Sequence, residues 1–268
     1  MKNQHKNKAT RLFIILSAIF ITNALIAEFI GVKIFSLEKS LNLPLSSFNF
    51  FGHKDLSFQL TAGVLIWPVV FIMTDIINEY FGRRGVIRLS WLAIFMIGYA
   101  FLFVYLAINL VPADFWPSSH LDFITDPQKK EQLSSEVSNY NTAFSLVFGQ
   151  GLKIIVASIV AFITGQILDA LIFHKIKLLT GNKSIWLRAT GSTLISQFFD
   201  SYIVLFIAFY FGANWPISLV LAIGTVNYIY KVCMAIGLTP VIYLIHSIIH
   251  RYLGDDLSNE LKEDAMKL

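Results

Sequence analysis

The sequence predicts an all-α, polytopic membrane protein, a single domain of six transmembrane helices. Three observations carry this. Hydrophobic residues make up 56% of the 268 positions and charged residues only 14%, with a mean hydropathy of +0.65, which leaves too little polar surface for a soluble domain of this length. Apolar runs recur, and a run of about 18 residues or more argues a spanning helix. Lysine and arginine concentrate in alternate loops, as the positive-inside rule requires of a multi-pass chain.

The helices are expected at about 11–32, 59–82, 88–110, 147–173, 187–212 and 216–247. At roughly 1.5 Å per residue each can cross a hydrocarbon core of about 30 Å. The first is near-continuously apolar and has no small-residue cleavage site close behind it, so it reads as a retained helix rather than a signal peptide. The last is long and carries Pro240, which allows a kink or an extension beyond the bilayer.

The basic loops hold Lys2, Lys6, Lys8 and Arg11, then Arg83, Arg84 and Arg88, then Lys175, Lys177, Lys183 and Arg188. Residues 111–146 hold five acids against Lys129 and Lys130. The expected orientation therefore has both termini cytoplasmic, with 33–58 and 111–146 outside. No basic stripe alternates with aromatics, so nucleic-acid binding is not expected. The lone Cys233 cannot form an internal disulfide, and no phosphate-loop spacing occurs around "GNKS" at 181–184.

Polar residues inside spanning helices are expensive and normally face the bundle interior. In the second helix Asp75, Asn78 and Glu79 share one face, and Glu79 is expected at the interface, paired with Arg83 four residues on. The fourth offers Gln166 and Asp169 beside Gly165, with helix glue and a loop-lysine partner for Asp169 as the plainer reading. The fifth offers Gln197 and Asp200 near mid-membrane, flanked by Ser196. The sixth offers Asn227 and Lys231, with Lys231 the natural partner of Asp200 or Asp75 unless it snorkels to the headgroups. Asn23 and Glu28 complete the inventory, Glu28 near the outer rim. His246 and His250 are expected at the interface, with no metal site. Carboxylates, amides and aromatics converging inside a bundle suit a planar, hydrogen-bonding solute. The expected substrate-binding set is Asp75, Asn78, Gln166, Asp169, Gln197, Asp200, Asn227 and Lys231. No cofactor is expected.

Four stretches add a resemblance: "WPVVFIMTDIINEYFGRR", "ASIVAFITGQILDALIFHKIK", "WLRATGSTLISQFFDSYIVLFIAFY" and "VNYIYKVCMAIGLTPVIYLI". In this order and spacing they resemble the queuosine-precursor transporter family, also called the vitamin-uptake-transporter-like family. The resemblance implies an importer, not an enzyme, of 7-deazaguanine bases (7-cyano-7-deazaguanine or 7-aminomethyl-7-deazaguanine) for queuosine salvage in tRNA modification. It also implies a fold similar to the substrate-binding subunits of energy-coupling-factor transporters. By motif it marks Asp75, Gln166, Asp169, Ser192, Thr193, Asp200 and Lys231. Another nucleobase or a vitamin as substrate, a binding subunit served by a separate ATPase, and an intramembrane enzyme stay open on the residues, as does homo-oligomerisation. The expected partners are a small molecule and the lipid bilayer.

Overall fold

The structure, a computed structural model, describes residues 2–119, 121–137, 139–181 and 185–267. Lys183, counted above among the basic loop residues, lies outside the described residues. Helices dominate: α1 (Lys2–Ile30), α2 (Leu37–Ser40), α3 (Trp67–Ile108), α4 (Trp116–Ser119), α5 (Pro127–Val137), α6 (Tyr140–Thr180), α7 (Ile185–Leu205), α8 (Ile217–Gly237), α9 (Thr239–Leu253) and α10 (Asp255–Lys267). A π-helical turn, Phe206–Phe211, continues α7. Among the described residues, five helices are long and apolar enough to cross a membrane: Asn7–Ile30, Trp67–Ile108, Tyr140–Thr180, Ile185–Phe211 and Ile217–Gly237. The chain is an all-α membrane protein.

α3 is not one rod. Gly82 breaks it with φ 70° and ψ 175°, a conformation open essentially to glycine. The contacts of α1 give the direction of each half. Phe13 meets Phe81 at 4.9 Å between ring centroids, and Ala62 N donates to Lys33 O just past the other end of α1. Residues 67–81 therefore run antiparallel to α1. Beyond the break, Phe29 stacks on Phe101 at 5.4 Å, and Gly85 faces Phe13, so residues 83–108 run back parallel to α1. The chain reverses at Gly82, where the sequence suggested a loop ending near residue 88.

The remaining helices alternate in direction. Thr74 bonds to Gln166 and Asn78 to Ala170, which sets α6 parallel to residues 67–81. Ser196 on Asp169 and Arg188 near Gly181 set α7 antiparallel to α6. Tyr202 with Thr225, and Tyr228 with Leu194, set α8 antiparallel to α7. The apolar core joins α1, α3, α6, α7 and α9 through residues such as Phe20, Val70, Ile76, Ile77, Phe173 and Ile249.

Two expectations are corrected. The helix expected over 216–247 is two helices: α8 ends at Gly237, and Leu238 and Pro240 open α9 as a separate amphipathic helix. The helix expected from residue 59 starts at Trp67, because residues 33–66 form a small cap. Its strands are β1 (Ile34–Ser36), β2 (Phe48–Phe50), β3 (His53–Leu56) and β4 (Gln59–Thr61), pairing β1 with β4 and β2 with β3, both antiparallel. Glu38 ties the cap together by accepting from Phe58 N (2.8 Å) and Ser36 Oγ (3.2 Å). Burial works against its charge, but these donors outweigh burial and hold its carboxyl below the ordinary glutamate range. His53 Nε2 lies 3.1 Å from Ser218 Oγ and pins the cap to the start of α8.

Candidate substrate site

The polar residues inside the bundle fall into three layers. The uppermost lines a cavity of about 520 Å³ beneath the cap, within the range of about 300–1,000 Å³ usual for small-molecule sites. Asp200, Ser201, Asn227 and Lys231 face it from α7 and α8, and Glu28 and Ser158 from α1 and α6. Lys231 Nζ donates to Asp200 Oδ2, and Ser158 Oγ donates to Glu28 Oε1 at 2.5 Å. Trp67, Phe162 and Tyr230 supply an aromatic wall, with Trp67 and Phe162 5.6 Å apart. Asn227 Oδ1 is buried without a donor. The wall thus sets carboxylate and amide acceptors beside hydroxyl, indole and amide donors at Ser201, Tyr230, Trp67 and Gln59.

The middle layer is packed side chain. Thr74 donates to Gln166 Oε1 (2.9 Å) and Asn78 Nδ2 to Ala170 O (3.2 Å). These two bonds bracket the level of Asp75 on α3 and Asp169 on α6. Asp169 Oδ1 accepts from Ser196 (3.2 Å) and Thr193 (3.5 Å). Asp75 Oδ1, Asn78 Oδ1, Asp169 Oδ2 and Gln197 Oε1 are buried acceptors with no donor. Asp75 borders a void of about 40 Å³, shared with Thr193, Tyr230 and Lys231. That is room for a water or so, not for a bicyclic base.

The lowest layer corrects the reading of Glu79. It is 2% exposed, not interfacial, and Arg83 is not its partner. The break at Gly82 carries Arg83 off its helical face. Arg188 Nη2 bonds Glu79 Oε1 at 2.7 Å, and Lys177 Nζ lies 3.2 Å from Glu79 Oε2. Lys177 also donates to the Glu79 carbonyl at 2.7 Å, beside the helix break. His246 is likewise buried rather than interfacial: its Nδ1 lies 3.2 Å from Tyr80 Oη, and its Nε2 3.9 Å from Glu79. Lys262 of α10 sits over the Tyr80 ring, 5.5 Å from its centroid.

The eight expected site residues therefore do not share one cavity. Asp200, Asn227 and Lys231 line the large one. Asp75, Asn78, Gln166, Asp169 and Gln197 form the packed layer below. Sequence reasoning noted Glu28 without selecting it and missed Ser158 and the wall of Trp67, Phe162 and Tyr230. A carboxylate four residues from the end of a spanning run was the available signal for Glu28; nothing local marks the others. The plainer partner for Asp169, a loop lysine, is replaced by the α7 hydroxyls. Among the described residues no group of three or more metal-ligating side chains occurs.

A cavity with polar and aromatic lining inside membrane-crossing helices, set above layers of buried charge, is the build of a membrane transporter. The chain belongs to the family described as "Putative vitamin uptake transporter", whose profile matches residues 61–245. It is 29% identical over 189 residues to a "Probable queuosine precursor transporter" of Bacillus subtilis (strain 168), covering 69% of this chain and 72% of that one. It is 28% identical over 189 residues to a protein of the same description from Haemophilus influenzae (strain ATCC 51907 / DSM 11121 / KW20 / Rd), covering 68% and 66%. The resemblance carried by the four motifs is thereby shown. No solved structure matches.

Proposed function

We propose that the chain imports queuosine precursors, as free 7-deazaguanine bases, across a bacterial plasma membrane in six crossings. The two halves of α3 count separately among these. The observation that carries the substrate reading is the cavity wall: acceptors at Glu28, Asp200 and Asn227 beside an aromatic surface. A guanine-like edge presents a ring N–H next to an exocyclic amine, and one carboxylate accepts from both. Its planar rings suit stacking against Trp67 and Phe162. The names of the two relatives support the same solute. Asp200 is the reading carboxylate, Asn227 a second acceptor, and Lys231 the counter-ion that holds Asp200 in place. The layer of Asp75 and Asp169 lies on the inward path and is met after the cavity releases its load.

Cells unable to make 7-deazaguanine bases provide the test. Given labelled 7-aminomethyl-7-deazaguanine, they accumulate label in tRNA only when this chain is produced. Equal labelling without the chain contradicts the proposal, and labelled uptake of a vitamin in its place supports the other reading of the family name.

Orientation follows from the basic loops. The end bearing Gly82, Arg188 and both termini is the cytoplasmic one, and the cap faces outward. In a Cys233→Ser background, a membrane-impermeant thiol reagent applied outside is expected to label Thr125→Cys and to spare Lys267→Cys. The reverse pattern inverts the assignment.

A further inference from the structure

The charges around the large cavity do not balance. Lys231 and Asp200 close on each other. Asp55 sits at the mouth, exposed, where Ser47 Oγ donates to it at 2.9 Å. Glu28 is set in the wall, and among the described residues no cationic side chain comes within ion-pair distance of it. Its one hydrogen bond is from Ser158 to Oε1, and a hydroxyl has a single proton to give. Among the described residues Oε2 has no protein donor. Glu28 and Asp200 also lie close enough for their charges to act on each other. A carboxylate held in a low-dielectric wall without a counter-ion is costly, and a cationic ligand group removes that cost.

We propose that Glu28 is a specificity-determining residue that makes the cavity selective for a 7-deazaguanine whose 7-substituent carries a protonated amine. This rests on the base-importer reading above. The division of labour is geometric. Asp200 and Asn227, on adjacent helices, take the N–H edge of the ring system. Glu28, across the cavity on α1, takes the substituent. A 7-aminomethyl group is a primary ammonium with three N–H donors and forms a charge-assisted bond to Oε2, about twice as strong as a neutral one. A 7-cyano group is uncharged and offers only an acceptor nitrogen, which meets another acceptor. Ser158 is a positioning residue: its bond fixes the Glu28 rotamer, so that the free oxygen faces the cavity. A longer neutral substituent finds the space but no matching charge.

The test is competition for uptake, in the same cells or in proteoliposomes, between the aminomethyl base, the cyano base and an N-acetylated aminomethyl base. The wild-type chain is expected to favour the aminomethyl base at least tenfold over the cyano base. The acetylated base, which lacks the charge, is expected to lose that advantage. Glu28→Gln is expected to bring the ratio of the two KM values to within about threefold, and Glu28→Asp, which keeps the charge, to retain much of the preference. Equal use of the aminomethyl and cyano bases by the wild type overturns the inference while leaving the importer reading intact. An undiminished preference in Glu28→Gln overturns it too. Uptake of none of the three bases refutes the importer reading itself. The acetylated-base comparison needs no variant, so a Glu28→Gln chain that fails to fold does not remove the test.

Discussion

Arg188→Met is expected to remove most of the folded protein from the membrane. Arg188 is fully buried and bonds the equally buried Glu79 carboxylate at 2.7 Å. Removing one partner of a buried ion pair typically costs about 3–5 kcal/mol, and here it leaves Glu79 with Lys177 alone and Oε1 without its donor. Three elements depend on this contact. Glu79 stands beside the helix break at Gly82, Lys177 ends α6, and Arg188 opens α7 and also donates to Gly181 O at 3.0 Å in the connection between them. Lys177 already holds Glu79 Oε2 at 3.2 Å and the Glu79 carbonyl at 2.7 Å, so it does not also fill the place of the guanidinium at Oε1. Glu79→Gln is expected to do comparable harm by stranding Arg188 and Lys177 together. The double change Glu79→Gln with Arg188→Met is expected to recover part of the protein lost in Glu79→Gln, since one buried cation, Lys177, is then unpaired instead of two. Abundance by size-exclusion of a fluorescent fusion, with thermal melting in detergent, reads all three. Wild-type abundance and melting in Arg188→Met would show that the network does not hold the inner end together.

The second large effect separates folding from transport. Lys231 donates to Asp200 at the cavity, and both side chains are only partly buried. Water in the cavity screens the survivor when one partner is removed, so the stability loss is expected to be smaller than at Glu79. Transport is expected to fall much further. Asp200→Asn keeps the volume but turns one acceptor into a donor, which opposes the N–H edge of the base. Uptake at equal protein abundance is expected to drop at least a hundredfold. Lys231→Met leaves Asp200 without its cation and is expected to lower both abundance and uptake. The double variant is expected to restore abundance and not uptake. Restored uptake in the double variant would show that the pair is structural and does not read substrate.

The class of fold was legible because lipid imposes a composition and a run length that no soluble core needs. The resemblance was legible because the buried polar residues sit in the four best-patterned helices. Three features were not legible, each for a physical reason. The reversal at Gly82 looked like a loop, since a single glycine in an otherwise helical pattern gives no local sign of how far the chain turns. Glu79 looked interfacial because Arg83 lies four residues on, a spacing that pairs charges only on an unbroken helix; the break sends Glu79 inward to Arg188, more than a hundred positions away. His246 looked interfacial because its partner Tyr80 is more distant still in sequence. The candidate site was half legible. Asp200 and Lys231 were readable as ionisable groups at membrane depth on neighbouring helices. The separation of Asp75 from the large cavity was not, since helical spacing gives the face of a residue but not which voids the packing leaves beside it.

Equilibrium binding to the purified chain in lipid nanodiscs tests the account at its centre. Titration with 7-aminomethyl-7-deazaguanine is expected to show one saturable site per chain, abolished by Asp200→Asn and retained, with altered affinity, by Thr193→Ala in the layer beneath the cavity. Unchanged binding by Asp200→Asn, or binding lost in Thr193→Ala alone, would contradict a base held in the cavity between Glu28 and Asp200.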